Sequence, residues 1–202
     1  VDAGDVIDSA NTAGTIHWNF NSAQETFDFL ADGETLELNY TIRATDSDAS
    51  HAVGDQNVVV NITGTNDDPV IGLIAQTNLD EQTDSSDLTA SIAVTFTDAD
   101  LTDVGHSVAI TAVDVQGQTI GLNLDNEDLI ALINMSNLMK TSGTSSGSFD
   151  LDFIADAAAF DYLENADVLT LTYTLEIGDH HGGVTSQTAV FQITGASDFQ
   201  GM

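Results

Sequence analysis

The sequence predicts an all-β protein made of tandem antiparallel β-sandwiches, and three observations support this fold class. Residues 14–46 reappear without gaps as residues 147–179, with ten of the 33 aligned positions identical. Period-two runs of β-branched and apolar residues alternate with Gly, Asp and Asn, which is typical of short strands joined by turns. About seven such strands per copy favour an immunoglobulin-like sandwich with Greek-key connections.

A short acidic linker that contains the chain's one proline divides the sequence into two modules. Pro69 cannot donate to a strand ladder and favours extended backbone before it, so this linker should be a stiff junction. We expect the first module to be only a C-terminal half, either cut from a longer protein or completed by strands of another chain. The predicted division is a half module at residues 1–69, a complete second module at 70–196 and a tail at 197–202.

Strands of the second module are predicted from alternating apolar residues. In Leu169–Leu175 the period of two is strict, so one face should be core and the other should face water. The predicted strands are Ala90–Thr97, Ser107–Val113, Ser148–Ile154, Val168–Ile177 and Thr188–Thr194.

One segment departs from the strand pattern. Its apolar residues fall near helical spacing behind a possible N-cap at Asp125 or Asn126. This spacing predicts one amphipathic helix over about residues 126–139, laid on the sandwich.

The aromatic residues of the repeat are predicted to be structural. Tyr40 and Tyr173 are repeat equivalents that follow a corner, where a tyrosine often anchors upstream backbone through its hydroxyl. Trp18 aligns with Leu151 and is predicted to lie in a strand, within the core.

The charge of the chain points to cations as partners. Its 33 Asp and Glu residues face only Arg43 and Lys140, which gives a formal net charge of −31. Like-charge repulsion excludes nucleic acid and anionic membrane surfaces as partners. Cysteine is absent, so disulfides and thiolate metal sites are excluded, and carboxylate-bound hard cations remain as candidate staples. The alternative is a solvated acidic coat.

Strand polarity predicts where the carboxylates meet. Asp98 and Asp100 follow one strand and Asp179 follows another, and both strands should end beside the linker. Glu34, which opens the equivalent strand of the first module, should face the same junction from the other side. The predicted junction residues are Glu34, Asn66, Asp67, Asp68, Asp98, Asp100 and Asp179.

Six carboxylates and one amide carbonyl suit Ca²⁺, which takes about 6–8 oxygen ligands with tolerant geometry. We therefore predict Ca²⁺ as the cofactor, with a merely solvated acidic face as the alternative. Asp46 and Asp48 should form the equivalent upper set in the first module. Glu81, with Glu164 and Asp167, should form the lower set in the second.

Several segments together resemble VCBS repeats, the cadherin-like modules of very large bacterial surface adhesins of the RTX type. The segments are Ile62–Pro69, Asp80–Asp84, Val94–Asp103, Phe160–Leu163 and Leu169–Tyr173. The linker, Asp98-Ala99-Asp100 and Leu30–Glu34 also look like cadherin calcium motifs. The resemblance implies type I secretion, a stalk of tandem sandwiches at the bacterial surface and calcium at the junctions.

Two departures from the family pattern concern the end of the second module. Residues 195–198 lack the Asn-Asp-x-Pro linker, and the corner at Glu164–Asp167 lacks a Gly-Glu pair. A calcium junction after residue 196 should therefore be weaker or absent.

The residues point to a protein that is not an enzyme. There is no nucleophile elbow, phosphate-binding glycine loop or His-Glu-x-x-His motif, and a transition-metal site at His180-His181 would lack enough ligands. We expect an extracellular stalk segment whose partners are neighbouring modules. A filament subunit completed by strands of other copies of the chain is the alternative, and a carbohydrate-binding module is the third, which would need exposed aromatic residues.

Overall fold

The computed structural model describes residues 13–47, 50–81 and 86–197, and within them the chain is almost entirely β. The elements in chain order are β1 Thr35–Thr45, β2 Val53–Thr63, β3 Val70–Ile71, β4 Thr77–Asp80, β5 Leu88–Thr97, β6 Ser107–Gly117, α1 Asn126–Ala131, β7 Ile133–Lys140, β8 Ser146–Ala155, a short 3₁₀ helix Ala157–Ala159, β9 Val168–Gly178 and β10 Val184–Thr194.

The second module is a sandwich of two four-stranded sheets. One sheet has the order β4-β10-β9-β6 and the other the order β3-β5-β8-β7. Every pairing is antiparallel except that of β4 with β10, because the first strand of the module changes sheet between β3 and β4. The β-sandwich fold class and all five predicted strands are confirmed, and several strands extend a few residues further than predicted.

The core of this sandwich lies against one face of β9. Leu169, Leu171, Tyr173, Leu175 and Ile177 all have no solvent exposure, which confirms the strict period of two. Across the core, aromatic rings pack closely: Phe153 stacks on Phe191 at 5.0 Å, and Phe191 meets Tyr173 edge-on at 5.8 Å. The Tyr173 hydroxyl donates to the carbonyl of Leu129 at 2.9 Å, so it anchors α1 to the sheet.

The predicted helix over 126–139 is wrong in its second half. It begins as expected, with Asp125 capping the amides of residues 127 and 128, but it ends at Ala131. Residues 133–140 form β7, which pairs with β8 and carries a bulge where Asn137 has a φ of 54°. That bulge breaks the alternation of apolar residues and imitates helical spacing. Pairing prevails because the edge of β8 needs hydrogen-bond partners that a helix cannot supply.

In the first module, β1 and β2 form a hairpin whose register matches that of β9 and β10. Leu38 lies opposite Val60, as its repeat equivalent Leu171 lies opposite Phe191. Within the described residues this hairpin is a sheet of two strands. Trp18 was predicted to be a core residue in a strand, but it lies outside any strand and is 41% exposed. The reason is that no second four-stranded sheet covers the hairpin among the described residues.

The corner before β1 recurs before β9, despite the sequence difference at Glu34 and Asp167. Gly64 donates to the carbonyl of Glu34 at 2.8 Å, and Gly195 donates to the carbonyl of Asp167 at 2.9 Å. In both copies the acidic side chain accepts the amide three residues earlier at 3.1 Å. The missing Gly-Glu pair therefore does not alter the backbone of this corner.

Candidate metal centre at the module junction

The loop after β5 brings Asp98 and Asp100 to the linker, as strand polarity predicted. Asp98 Oδ1 accepts the Asp100 amide at 2.9 Å, and Asp98 Oδ2 lies 2.6 Å from Nε2 of the buried His106. Asp100 turns toward the linker, where its Oδ2 accepts the Asp67 amide at 2.8 Å. Both carboxylates are buried, and both are held by short contacts that fix their positions.

The loop after β9 brings Asp179 to the same linker. Asn66 Nδ2 donates to Asp179 Oδ2 at 2.9 Å, which links residues 113 positions apart. A side chain added at Gly183 would collide with Asp179 Oδ2 and would lie 2.8 Å from Asp68 Oδ1. Asn66, Asp68 and Asp179 therefore converge on the space that the missing side chain of Gly183 leaves open.

Burial and mutual repulsion act differently on the carboxylates of this junction. Burial, followed by the negative charges of neighbouring aspartates, raises the pKa of Asp67 and of Asp100 above the ordinary value. Burial alone would also raise the pKa of Asp179. Hydrogen bonds from Asn66 and from the backbone amides of residues 181–183 outweigh it and hold the pKa of Asp179 below the ordinary value. Asp179 is thus a fixed charge beside two carboxylates whose charge is disfavoured.

Buried oxygen atoms at the junction fit a hard cation. Asp100 Oδ1 and Asn66 Oδ1 are buried and accept no hydrogen bond from any residue that the structure describes. A buried oxygen without a donor is costly, and a carboxylate oxygen and an amide oxygen are both ligands that Ca²⁺ accepts. No group of three or more His, Asp and Glu side chains in the described ranges is spaced to hold an ion as it stands. A cation would therefore have to draw these side chains together.

Lys140 is the cation that the chain itself supplies here. Its ammonium group donates to the carbonyls of Asp100 and Asp103, at 2.6 and 2.7 Å. Both bonds go to backbone oxygens, so Lys140 stabilises the loop at residues 98–103, the acidic loop, without forming an ion pair with the side chains of Asp100 and Asp103. Charge-assisted bonds of this kind are among the stronger ones in proteins.

The remaining predicted site residues lie next to the ends of strands, apart from one that lies outside the described residues. Glu34 immediately precedes β1; its backbone carbonyl accepts the amide of Gly64, which stands two residues before Asn66, and its side chain accepts the Ala31 amide. Asp46 follows β1 at the far end of the hairpin. Glu81 follows β4 at the lower end of the second module, where its Oε2 accepts the Ala196 amide at 2.9 Å. Asp48 lies outside the described residues.

Three residues of the junction were missed by the sequence prediction. Burial and then the negative charge of Asp28 raise the pKa of Asp67, and the neighbouring Phe29 carbonyl accepts the Leu101 amide at 3.3 Å, so a loop of the first module lies beside the junction. Asp103 is buried, and its Oδ2 lies 2.9 Å from Nδ1 of His181 without hydrogen-bond geometry. Gly183 leaves room for the cluster. Asp103 follows the Asp98-Ala99-Asp100 motif and could have been found from that spacing, whereas the other two depend on tertiary contacts.

Replacing Gly183 with alanine is expected to break the cluster without changing its charge. The new methyl group would overlap Asp179 Oδ2 and force Asp179, Asp68 or Asn66 to move. We expect at least a ten-fold loss of calcium affinity in calorimetric titration, equivalent to about 1.4 kcal/mol. Gly54→Ala is the matched control, because its added methyl group meets nothing within 4 Å. Equal affinities for the two variants would contradict the role assigned to Gly183.

Comparisons with known proteins yield distant structural likenesses. No protein-family model matches the sequence. No curated protein matches it either. Among solved structures, the CooA pilin subunit of enterotoxigenic Escherichia coli is similar over 64% of this chain and 99% of the pilin, with 11% identity and a TM-score of 0.40.

Two further solved structures show likeness at the same level. The protocadherin GammaB4 extracellular domain is similar over 79% of this chain and 22% of its own, with 20% identity and a TM-score of 0.41. CfaE, the adhesive subunit of the CFA/I fimbria of enterotoxigenic Escherichia coli, is similar over 84% of this chain and 59% of its own, with 10% identity and a TM-score of 0.37. Likeness this distant identifies no family, so the VCBS resemblance rests on the residues quoted for it.

Proposed function

We propose that this chain is a calcium-stabilised extender segment in the stalk of a secreted bacterial cell-surface adhesin of the VCBS type. The observation that carries the proposal is the junction cluster, in which carboxylates from two loops of the second module meet the linker between the modules. The function is structural: each junction holds its neighbours at a fixed angle, so that a row of modules keeps a binding tip away from the cell.

Charge explains why the junction would need a cation. Burial raises the pKa of Asp67, and the charges of Asp28, Asp98 and Asp68, which come from both modules and the linker, raise it further. Like charges near a protein surface repel by roughly 1–4 kcal/mol per close pair. A divalent ion would convert this repulsion into attraction across the junction. The net charge of −31 makes internal neutralisation unavailable on the scale required.

Contacts across the junction support a role for a bound ion in setting the interdomain angle. The Leu101 amide of the second module donates to the Phe29 carbonyl of the first at 3.3 Å. Asp100, one residue earlier, accepts the linker amide of Asp67. The acidic loop thus touches the first module and the linker together. Asp67, Asp68, Asp98, Asp100, Asp179 and the amide oxygen of Asn66 would hold the ion.

Small-angle scattering of the whole chain, with calcium and with EDTA, tests the stiffening role. We expect the maximum dimension and the sharpness of the distance distribution to fall on chelation, because an uncompensated junction bends more freely. An unchanged maximum dimension would overturn the proposal.

Two controls separate calcium binding from general screening of the net charge. Sodium chloride added to the same ionic strength screens exposed charges without occupying a site, and it should not restore the calcium-bound dimension. The Gly183→Ala variant should scatter alike with and without calcium, because the alanine methyl group displaces the cluster.

A filament subunit is the second candidate function, and one observation favours it. The β1–β2 hairpin leaves its apolar face half-exposed, with Tyr40 43% exposed among the described residues. Such a face can be covered by strands from another chain. Mass measurement in dilute solution distinguishes the two functions: a stable monomer supports the stalk, and fibres that grow with concentration support the filament.

No helix in the described part of the chain is long and apolar enough to cross a membrane.

A further inference from the structure

A groove lies on the first module, with an apolar part and a polar part formed by Asn19, Asn21, Thr41 and Arg43, and none of its lining residues belongs to the carboxylate cluster. It has a volume of about 430 Å³ and is lined by residues that include Trp18, Phe20, Tyr40, Ile42 and Val58. Phe20 and Tyr40 pack against each other at 6.5 Å, and both are more than a third exposed. Exposed large apolar side chains gathered at one groove mark a binding surface more often than a free one.

The internal repeat shows what covers this face in the second module. Tyr40 lies opposite Val58 in the hairpin, and its equivalent Tyr173 lies opposite Ala189 in the same register. Tyr173 has no exposure, whereas Tyr40 is 43% exposed. The other large apolar residues on the same face of the hairpin are half-buried, while their equivalents on β9 and β10 are fully buried: Leu36, Leu38, Ile42, Val58, Val60 and Ile62 correspond to Leu169, Leu171, Leu175, Ala189, Phe191 and Ile193.

A strand–helix–strand segment closes the equivalent position in the second module. There β6 pairs with the edge of β9 that faces away from β10, from Ser107 opposite Gly178 to Gly117 opposite Leu169. Helix α1 packs against β6 and β7, and its Leu129 carbonyl accepts the Tyr173 hydroxyl. In the described part of the first module, β1 pairs with β2 alone, so the corresponding edge is open.

We propose that the groove and the open edge of β1 form an acceptor site for one kind of partner. The partner is a strand–helix–strand polypeptide segment with the residue pattern of residues 107–140, supplied by a further copy of this repeat. Its first strand pairs antiparallel with Leu36–Thr45, its helix lies over the groove, and a helix carbonyl accepts the Tyr40 hydroxyl. This inference does not rest on calcium, since it concerns a different face of the chain.

A synthetic peptide with the sequence of residues 107–140, titrated into the whole chain, tests the acceptor site. Trp18 is the chain's one tryptophan and the peptide contains none, so tryptophan emission reports the groove alone. We expect the emission of Trp18 to shift to shorter wavelength and its quenching by acrylamide to fall in a saturable manner. Tyr40→Phe should weaken binding by about five-fold, the value of one ordinary hydrogen bond.

The control is the same peptide with Val113→Pro and Val115→Pro, which cannot complete a strand ladder. An equal response to both peptides overturns the proposal, and so does no response at about millimolar peptide, near the weak end of measurable affinity. Self-association through the same hairpin face of two chains, which buries Trp18 without peptide and is not competed by the peptide, would overturn the proposal. A response of Trp18 to oligosaccharides would assign the groove to a glycan and would overturn it too. Titrations in EDTA and in calcium keep this outcome separate from that of the calcium junction.

Discussion

Replacing Asp100 with asparagine is expected to destabilise the protein in calcium and to leave it as stable or more stable in EDTA. Without calcium, burial and the charges of Asp103, Asp98 and Asp67 disfavour the ionised Asp100, which is why its pKa is raised. Asparagine removes that charge and keeps an oxygen to accept the Asp67 amide. With calcium, the same change removes a charged ligand that the ion would use.

The size of the calcium effect follows from linkage. An ion at 100 times its dissociation constant stabilises the native state by about 2.7 kcal/mol if it does not bind the unfolded chain. Most of this gain should be lost in Asp100→Asn. The variant should therefore melt at the same or a higher temperature than the wild type in EDTA, and at a lower temperature than the wild type in calcium. Differential scanning calorimetry under both conditions measures it.

Asp114→Asn is the charge-matched control for this experiment. Asp114 is an exposed carboxylate on β6 whose Oδ2 accepts a bond from the Gln116 side chain, two residues away. Its replacement removes one negative charge, as Asp100→Asn does, yet the calcium response should match that of the wild type. A calcium response that stays intact in Asp100→Asn would contradict the ligand role of Asp100.

Leu171→Ala should cost much more stability than Leu38→Ala, although the two leucines are repeat equivalents in the same register. Leu171 has no exposure and packs within the sandwich core, so its truncation should cost about 2–5 kcal/mol through lost burial and a residual cavity. Leu38 is half-buried on the hairpin, where truncation leaves no closed cavity. Its cost should stay below about 1.5 kcal/mol.

Urea unfolding followed by circular dichroism and by Trp18 fluorescence measures both variants. Circular dichroism reports mainly the second module, which holds most of the strands, and Trp18 reports the first. Similar costs for Leu171→Ala and Leu38→Ala would show that the hairpin face is as well covered in solution as its equivalent.

The meeting of Asp98, Asp100 and Asp179 at the linker could be predicted because each follows a strand whose direction the repeat and the alternating pattern define. Antiparallel neighbours end at alternate ends of a sandwich, so these positions depend on topology and not on loop detail. The proximity of Asp28 and the space left by Gly183 depend on how loops fold over one another. No local pattern encodes that contact.

Two wrong predictions have a common physical origin in tertiary context. Residues 133–140 were predicted to be helical because the bulge at Asn137 disturbs their period of two. They form a strand because they pair with the edge of β8, which local sequence does not reveal. Trp18 reads as core because its repeat equivalent Leu151 is core, but the pattern of a hairpin does not reveal whether a second sheet lies over it.

The glycines that close the two corners impose a rule on any further copy of this repeat. A methyl group at Gly64 would overlap the Leu30 and Ala31 carbonyls, and one at Gly195 would overlap the Glu164 carbonyl and lie 2.8 Å from that of Leu163. Even alanine is too large at this position, because the backbone at the end of the last strand lies directly against the backbone carbonyls of the corner. Glycine at this place should therefore mark the end of every intact unit in a longer array, and it permits the units of such a chain to be counted even where the acidic residues have diverged.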